Sequence, residues 1–227
     1  MLTFDCRKNI RSFGRINNRK IGPQTQFLLA NVLPKYSLDM YEPVPGATKN
    51  YLEIGFGYGE SIAARAEVDP RANYIGCETY MRGVANLAKL ILTKNLANVH
   101  IFNGDARILL ERLDENHLDG IFILFPDPWP KQKQRKKRIV NDNFLWLARK
   151  KLKNGGILFF ASDSREYAES VLKMIRGGNF FTPNFTSLEN CKDEPTWWIE
   201  TKYQKKAREL NSEIYFMEFT AISETTT

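Results

Sequence analysis

The 227-residue sequence predicts an α/β fold: a mostly parallel seven-stranded sheet with helices on both faces and an antiparallel strand pair at its C-terminal end. Three observations predict it. A strand candidate, Tyr51-Leu52-Glu53-Ile54, runs into Gly55-Phe56-Gly57-Tyr58-Gly59 and then into a helical pattern from Glu60 to Val68, the order strand, glycine turn, helix. Short apolar runs then alternate with amphipathic stretches as far as Ile175, the rhythm of parallel strands joined by helical crossovers. Beyond that the rhythm changes. Phe180 to Phe185 and Ile214 to Phe219 read as strands without the long helix that a parallel crossover requires.

Residues 1 to 25 hold Arg7, Lys8, Arg11, Arg15, Arg19 and Lys20 against one acid, Asp5. Charge alone reads this equally as a basic arm that folds onto RNA or as a disordered terminus. A short helix follows from Gln24 to Tyr36, and Pro43-Val44-Pro45-Gly46 reads as a linker. Residues 1–49 are therefore expected to form a basic arm and linker, and 50–227 the main domain.

The glycines let backbone approach a ligand closely, and the helix behind them presents free amides and a positive dipole end. The pattern is G-x-G-x-G preceded by Glu53, not the dinucleotide G-x-G-x-x-G, and an acid there repels a pyrophosphate while favouring a cationic ligand. Asn73 to Cys77 is the second strand. Glu78 ends it, at the kind of offset from the first strand where doubly wound folds place a carboxylate on a ribose. Tyr80 to Thr93 is an amphipathic helix with Val84, Leu87, Ala88, Ile91 and Leu92 on one face. Val99 to Phe102 is the third strand, and it brings Asp105 to the same sheet edge; alone, Asp105 is better read as a helix N-cap.

Leu118 to Phe125 is a nearly all-apolar fourth strand, hence central. It ends in Pro126-Asp127-Pro128-Trp129-Pro130, which can continue neither as helix nor as ladder, so Asp127 is presented at a strand end. Lys131, Lys133, Arg135, Lys136, Lys137 and Arg138 follow with no acid among them, and a polyanion drawn to these charges would lie beside Asp127. Taken alone, the basic run reads better as a solvated loop. Asn141 to Leu152 is a helix with Phe144, Leu145, Leu147, Ala148 and Leu152 inward, stopped by Asn154-Gly155-Gly156. Ile157 to Ala161 is the fifth strand, followed by Ser162-Asp163 and a helix from Ser164 to Ile175. Trp197 and Trp198, close to Thr201-Lys202-Tyr203-Gln204-Lys205-Lys206, read at least as well as packing residues as base-stacking ones.

Composition is that of an ordinary globular protein, 43% hydrophobic and 26% charged, so a net charge of +7 points to an anionic partner, nucleic acid before acidic lipid. No apolar run approaches the ~20 residues of a membrane span, and the N-terminus lacks a signal-peptide core, which leads us to expect a cytoplasmic protein. Cys6, Cys77 and Cys191, with His100 and His117, have the spacing of neither a disulfide framework nor a metal cluster, so no metal is expected.

A crevice lined by Glu53, Glu78 and Asp105 suits a nucleoside bearing hydroxyls, an exocyclic amine and positive charge, as S-adenosylmethionine does. With Glu53-x-Gly55-x-Gly57-x-Gly59, Glu78 and Asp105 in that order, the chain resembles the class I methyltransferases. With Phe125-Pro126-Asp127-Pro128-Trp129-Pro130-Lys131, Arg11-Ser12-Phe13, Arg15, Gln26 and Thr201-Lys202-Tyr203 added, it resembles the bacterial tRNA (guanine-N7-)-methyltransferases over nearly its whole length. The resemblance implies a Rossmann-like class I methyltransferase fold. It also implies methyl transfer from S-adenosylmethionine to N7 of a variable-loop guanine (position 46) in tRNA, by a monomer or homodimer. It implies cofactor contacts from Glu53, Gly55, Gly57, Gly59, Glu78, Asp105 and Asp127, with Asp127 the catalytic residue. Substrate contacts are implied for Lys131, Asp163, Thr201, Lys202, Tyr203 and Gln204, and RNA contacts for Lys133, Gln134, Arg135, Lys136, Lys137 and Arg138. Two departures stand out: Gln134 and Arg135 where the family usually has a histidine, and Gln204 where it usually has glutamate.

Two other readings compete. A class I methyltransferase acting on another nucleic-acid or protein amine often carries Asn/Asp-Pro-Pro-aromatic at this strand end, whereas here Trp129 follows a single proline. A noncatalytic RNA-binding protein would keep the basic run but has no use for Glu78 and Asp105.

Overall fold

The computed structural model describes residues 21–38 and 48–223. One sheet of seven strands organises them: β1 Lys49–Ile54, β2 Ala72–Glu78, β3 Val99–Asn103, β4 Leu118–Leu124, β5 Leu152–Ser162, β6 Phe181–Pro183 and β7 Tyr215–Ala221. Their spatial order is β3-β2-β1-β4-β5-β7-β6. The first five are parallel, and β7 runs antiparallel to both β5 and β6. The expected antiparallel pair is thus present, with the last strand inserted between its neighbours.

Strand alternation sorts side chains onto the two faces. Leu52, Ile54, Ile75, Ile121, Ile123, Leu158 and Phe160 point to one face, packed by α5 Ala106–Arg112, α6 Asp142–Lys151 and α7 Arg165–Gly177 through Leu109, Leu110, Phe144, Leu145, Tyr167 and Val171. The opposite face near β2 and β3 is covered by α3 Glu60–Val68 and α4 Met81–Lys94, through Ile62, Ala66, Val84, Leu87 and Ile91. Farther along that face Phe122, Leu124, Phe159 and Phe216 have no long helix above them. Trp198 and Ala207 of α8 Lys202–Glu209 pack there instead, and Trp197 sets its ring edge-on to Phe159 at 4.8 Å.

The N-terminal helical stretch runs from α1 Pro23–Phe27 through a π-turn, Leu28–Val32, into α2 Leu33–Tyr36. Val32 is buried against the α3–α4 layer, and Leu38 donates its amide to the Ile101 carbonyl at 2.8 Å. The basic residues expected of the arm before Ile21 lie outside the described residues.

Helix Glu60–Val68 has the bounds its periodicity predicts, and the other predicted elements shift by a few residues at their ends. Three details differ. Leu92 is half exposed, because at 100° per residue it falls at the edge of the stripe that Val84, Leu87, Ala88 and Ile91 bury. Asn154-Gly155-Gly156 does not stop α6, which ends at Lys151; it forms the irregular start of β5, with Gly155 at φ +77°. Helices α5 and α8 are additions.

Candidate active site

The sheet order reverses between β1 and β4, and a cleft of about 260 Å³ opens there, at the C-terminal ends of the parallel strands. Its walls come from five sequence-distant segments and one helix: Gly55, Gly57 and Tyr58 after β1, Glu78 to Tyr80 at the end of β2, Gly104 and Asp105 after β3, Phe125, Pro126, Asp127 and Trp129 after β4, the stretch from Lys136 to Ile139, and Tyr203 of α8.

The loop after β1 is shaped by what it must avoid. Gly57 has φ +58°, and its carbonyl oxygen would lie 1.9 Å from a Cβ on Gly83, so α4 reaches the loop only because residue 83 has no side chain. From the other side Tyr203 closes on Gly57, its Cε2 3.2 Å from where a Cβ would stand. Asn86 Nδ2 donates to the Tyr58 carbonyl at 2.7 Å and completes the fixation.

Glu78 ties the loop after β1 to the turn before α4 through one carboxylate. Its Oε2 accepts the Gly57 amide at 2.9 Å, and its Oε1 accepts the amides of Thr79 and Tyr80 at 2.7 and 2.9 Å. Asp105 is both things the sequence allowed. It caps α5 by accepting the Arg107 amide at 2.9 Å, and it lines the cleft. Burial pushes its carboxyl up, but the side-chain and backbone bonds from Arg107, with that residue's charge, outweigh burial and hold it below the ordinary value.

Glu53 is placed differently. Alternation along β1 turns it to the face opposite Leu52 and Ile54, under α3, where it is buried and paired with Arg65. Burial raises its pKa despite that partner, and the Arg65 guanidinium also lies 3.9 Å over the Phe122 ring. Neither Glu53 nor Gly59 lines the cleft. Cys77 does; burial drives its thiol well above the usual range, so it is no thiolate.

Asp127 sits at the cleft edge, exposed, with no hydrogen-bond partner among the described residues. The turn that presents it is strained at both ends: Phe125 has φ +50° and Trp129 φ +41°, a region that bulky side chains rarely occupy. Each precedes a proline, which disfavours the right-handed helical alternative. Lys131, Gln132, Lys133, Arg135 and Lys136 are exposed on and before a 3-10 turn, Gln132–Lys137, while Gln134 is half-buried. Lys137 lays its ammonium 4.4 Å over the Trp129 ring. Arg138 is unlike its neighbours, being only 5% exposed and turned inward. Asp163 stands exposed just beyond β5, the strand beside β4, and does not line the cleft.

The segment from Thr201 to Gln204 starts α8. Thr201 caps the helix by accepting the Gln204 amide at 3.1 Å, Lys202 sets its ammonium 4.8 Å over the Tyr58 ring, and Tyr203 enters the cleft. Gln204 points the other way and is fully buried. Its Oε1 accepts Trp198 Nε1 at 2.5 Å and its Nε2 donates to Glu194. Sequence reading missed Tyr58, Tyr80, Arg107 and Trp129 as lining residues; for Tyr58 and Trp129 the signal was available, since each lies within a motif already singled out. Among the described residues no group of three or more His, Cys, Asp or Glu converges as a metal site would.

Residues 47–217 match a family model described as "Putative methyltransferase". The bifunctional methyltransferase of Rickettsia conorii is 40% identical over 208 residues, which are 91% of this chain but 39% of that one, so the chain spans about two fifths of that relative's length. The tRNA (guanine-N(7)-)-methyltransferase of Hyphomonas neptunium is 36% identical over 204 residues, 87% of this chain and 93% of that one. Among solved structures the aminoglycoside resistance methyltransferase NpmB1 superposes with a TM-score of 0.55 at 15% identity, covering 79% of this chain and 90% of that one, a likeness of fold alone. The matched residues include the glycine loop, Glu78, Asp105 and the Asp127 turn, and the sequence correspondence runs over nearly the full length of the Hyphomonas protein; the chain belongs to the tRNA (guanine-N(7)-)-methyltransferase family.

Proposed function

We propose that this chain transfers a methyl group from S-adenosylmethionine to N7 of a guanine in the variable loop of tRNA. The observation that carries the reading is a cleft with a glycine loop and two strand-end acids on one side, a carboxylate at its edge that has no partner among the described residues, and exposed lysines beside that carboxylate. Membership of a family that includes tRNA (guanine-N(7)-)-methyltransferases supports the choice of substrate.

The residues present fit the cofactor. A Cβ built on Gly55 meets nothing within 4 Å, so that edge of the loop is open to a ligand. Glu78 and Asp105 retain acceptor capacity beyond the bonds they make, which suits ribose hydroxyls and an exocyclic amine. Glu53 and Gly59 are assigned to the support of the loop from behind. When bound, the cofactor supplies a methyl group carried on positively charged sulfur.

Guanine N7 has a free lone pair at neutral pH, so no side chain need remove a proton, and no histidine lines the cleft among the described residues. As N7 gains the methyl group the purine becomes cationic. The Asp127 carboxylate meets that charge and stabilises the transition state more than the neutral base, with Asp163 at the next strand end as a second acid. Lys131, Lys133, Gln134, Arg135, Lys136 and Lys137 take phosphates, and Thr201 to Tyr203 frame the base. A-form RNA hides N7 in its deep groove, so the target lies in a loop or is extruded. Residues 50–227 form the catalytic domain in this reading, with the helices between Pro23 and Tyr36 packed on it, and the basic residues before Ile21 add contacts to tRNA in the cytoplasm.

The test is to incubate the chain with a tRNA transcript and methyl-labelled cofactor and digest the RNA to nucleosides. Label in N7-methylguanosine is expected; label in another nucleoside, or none while the cofactor binds, rejects the assignment.

A further inference from the structure

Arg138 belongs by sequence to the basic run but not by position. Its Nε donates to the Pro128 carbonyl at 2.8 Å, its Nη1 donates to Glu166 Oε1 at 3.2 Å, and its Nη2 donates to Glu166 Oε2. The guanidinium lies 4.3 Å over the ring of Tyr167, and the Tyr167 hydroxyl accepts the Val140 amide at 3.3 Å. The backbone of Arg138 is held as well, since its carbonyl accepts Asn141 Nδ2 at 3.3 Å. Pro128 is the residue after Asp127, in a turn whose two ends, Phe125 and Trp129, both occupy left-handed backbone conformations. Such a turn persists only where surrounding structure over-determines it, and Arg138 supplies a bond to its centre from outside the strand.

We propose that Arg138 and Glu166 form a clamp that fixes the Asp127 turn against α7, which makes both of them positioning residues for Asp127 and removes Arg138 from the set that contacts RNA phosphate. The bidentate geometry decides how the load is shared. A guanidinium reaches a carboxylate with one edge and a carbonyl with Nε at the same time, whereas an ammonium offers no such fork. Glu166 is therefore the anchor, Arg138 the arm and the Pro128 carbonyl the point held. Arg135 Nη2 also reaches Glu166 Oε1, at 3.1 Å, so the anchor ties the 3-10 turn to the same helix.

As a statement about catalysis this rests on the methyl-transfer reading above, and the experiment separates the two. Arg138→Gln, Glu166→Gln and the double variant are compared with the wild-type chain in single-turnover methylation of tRNA, in salt-dependent tRNA binding, and by fluorine NMR of fluorotryptophan-labelled protein, with the Trp129 resonance assigned from Trp129→Phe. The clamp predicts a rate at saturating substrate lower by roughly 10-fold or more in each single variant, and no further loss in the double variant. It also predicts an unchanged log-log salt slope, and a Trp129 resonance that shifts or broadens. A shallower salt slope in Arg138→Gln with an unaltered Trp129 resonance would return Arg138 to phosphate binding. Unchanged rate and resonance in both single variants would overturn the clamp outright. If the wild-type chain yields no N7-methylguanosine the methyl-transfer reading fails by itself, and the Trp129 resonance still decides whether the clamp exists.

Discussion

The Gly57 amide and the Glu78 carboxylate are hydrogen-bonded at 2.9 Å across the tip of the sheet, so the loop that follows β1 and the acid that ends β2 form one unit. Glu78 also accepts two amides at the start of α4. Glu78→Ala therefore leaves three amides without their acceptor and, on the proposed reading, removes a ligand for ribose. Calorimetry should find S-adenosylmethionine affinity weakened by about 1.5 to 3 kcal/mol, the size of a charge-assisted bond. Thermal unfolding should remain cooperative, with a loss of roughly 1 to 3 kcal/mol. Unaltered affinity would remove Glu78 from the cofactor site.

Gln204 is buried between a donor, Trp198 Nε1, and an acceptor, Glu194, and only a side chain that accepts and donates at once satisfies both. Gln204→Glu would set carboxylate against carboxylate. At neutral pH it should destabilise the fold by about 1 to 3 kcal/mol, and adding Glu194→Gln should restore most of that loss. The sign with pH follows. The new carboxyl would have a raised folded-state pKa, so the penalty is absent below its unfolded value of about 4.3 and grows as pH rises through that value toward the folded one. Denaturant unfolding at acid and neutral pH checks both halves.

Asp105 titrates in the opposite sense. Its folded-state value lies below the model-compound value of 3.8, so its stabilisation is present above that value and is lost as pH falls through the lower folded one. Asp105→Asn keeps the helix cap and loses the charge pair with Arg107, whose side chain is about one third exposed. After allowance for screening it should cost about 1 kcal/mol at neutral pH. The gap between variant and wild type should close in acid; a gap that stays constant to low pH would contradict the ion-pair account.

Much of the fold is legible because it rests on apolar periodicity. Leu52, Ile54, Ile121 and Ile123 alternate with residues of the opposite face, and Val84, Leu87, Ala88 and Ile91 recur at helical spacing; both patterns return in the structure as core faces. What was not legible lacks such a stripe. Helix α8 buries only Gln204 and Ala207 among its eight residues, so its sequence reads as a basic loop. Helix α5 is seven residues long, too short for periodicity to separate it from a turn. Nor does composition reveal which cation in a basic run turns inward, because Arg138 finds its partner 28 residues further along the chain.

The exposed part of the basic run should carry the salt dependence of tRNA binding. Lys131 and Lys133 are exposed and do not line the cleft, so replacing both by alanine should make the log-log salt slope shallower by about 1 to 2 units while leaving cofactor affinity unchanged. A slope equal to that of the wild type would return the run to a solvated loop.

If the cleft methylates N7 of a tRNA guanine with Asp127 compensating the charge that develops on the base, product and rate should both report it. The most direct measurement combines single-turnover methylation with borohydride and aniline treatment of the product. N7-methylguanosine is cationic with a labile glycosidic bond, so the wild-type chain should yield tRNA that cleaves at one variable-loop guanine, at a rate flat across neutral pH, and Asp127→Asn should give the same cleavage site roughly 100-fold more slowly. Methylated tRNA that resists cleavage would contradict the N7 assignment, and an undiminished rate in Asp127→Asn would contradict the role given to its carboxylate.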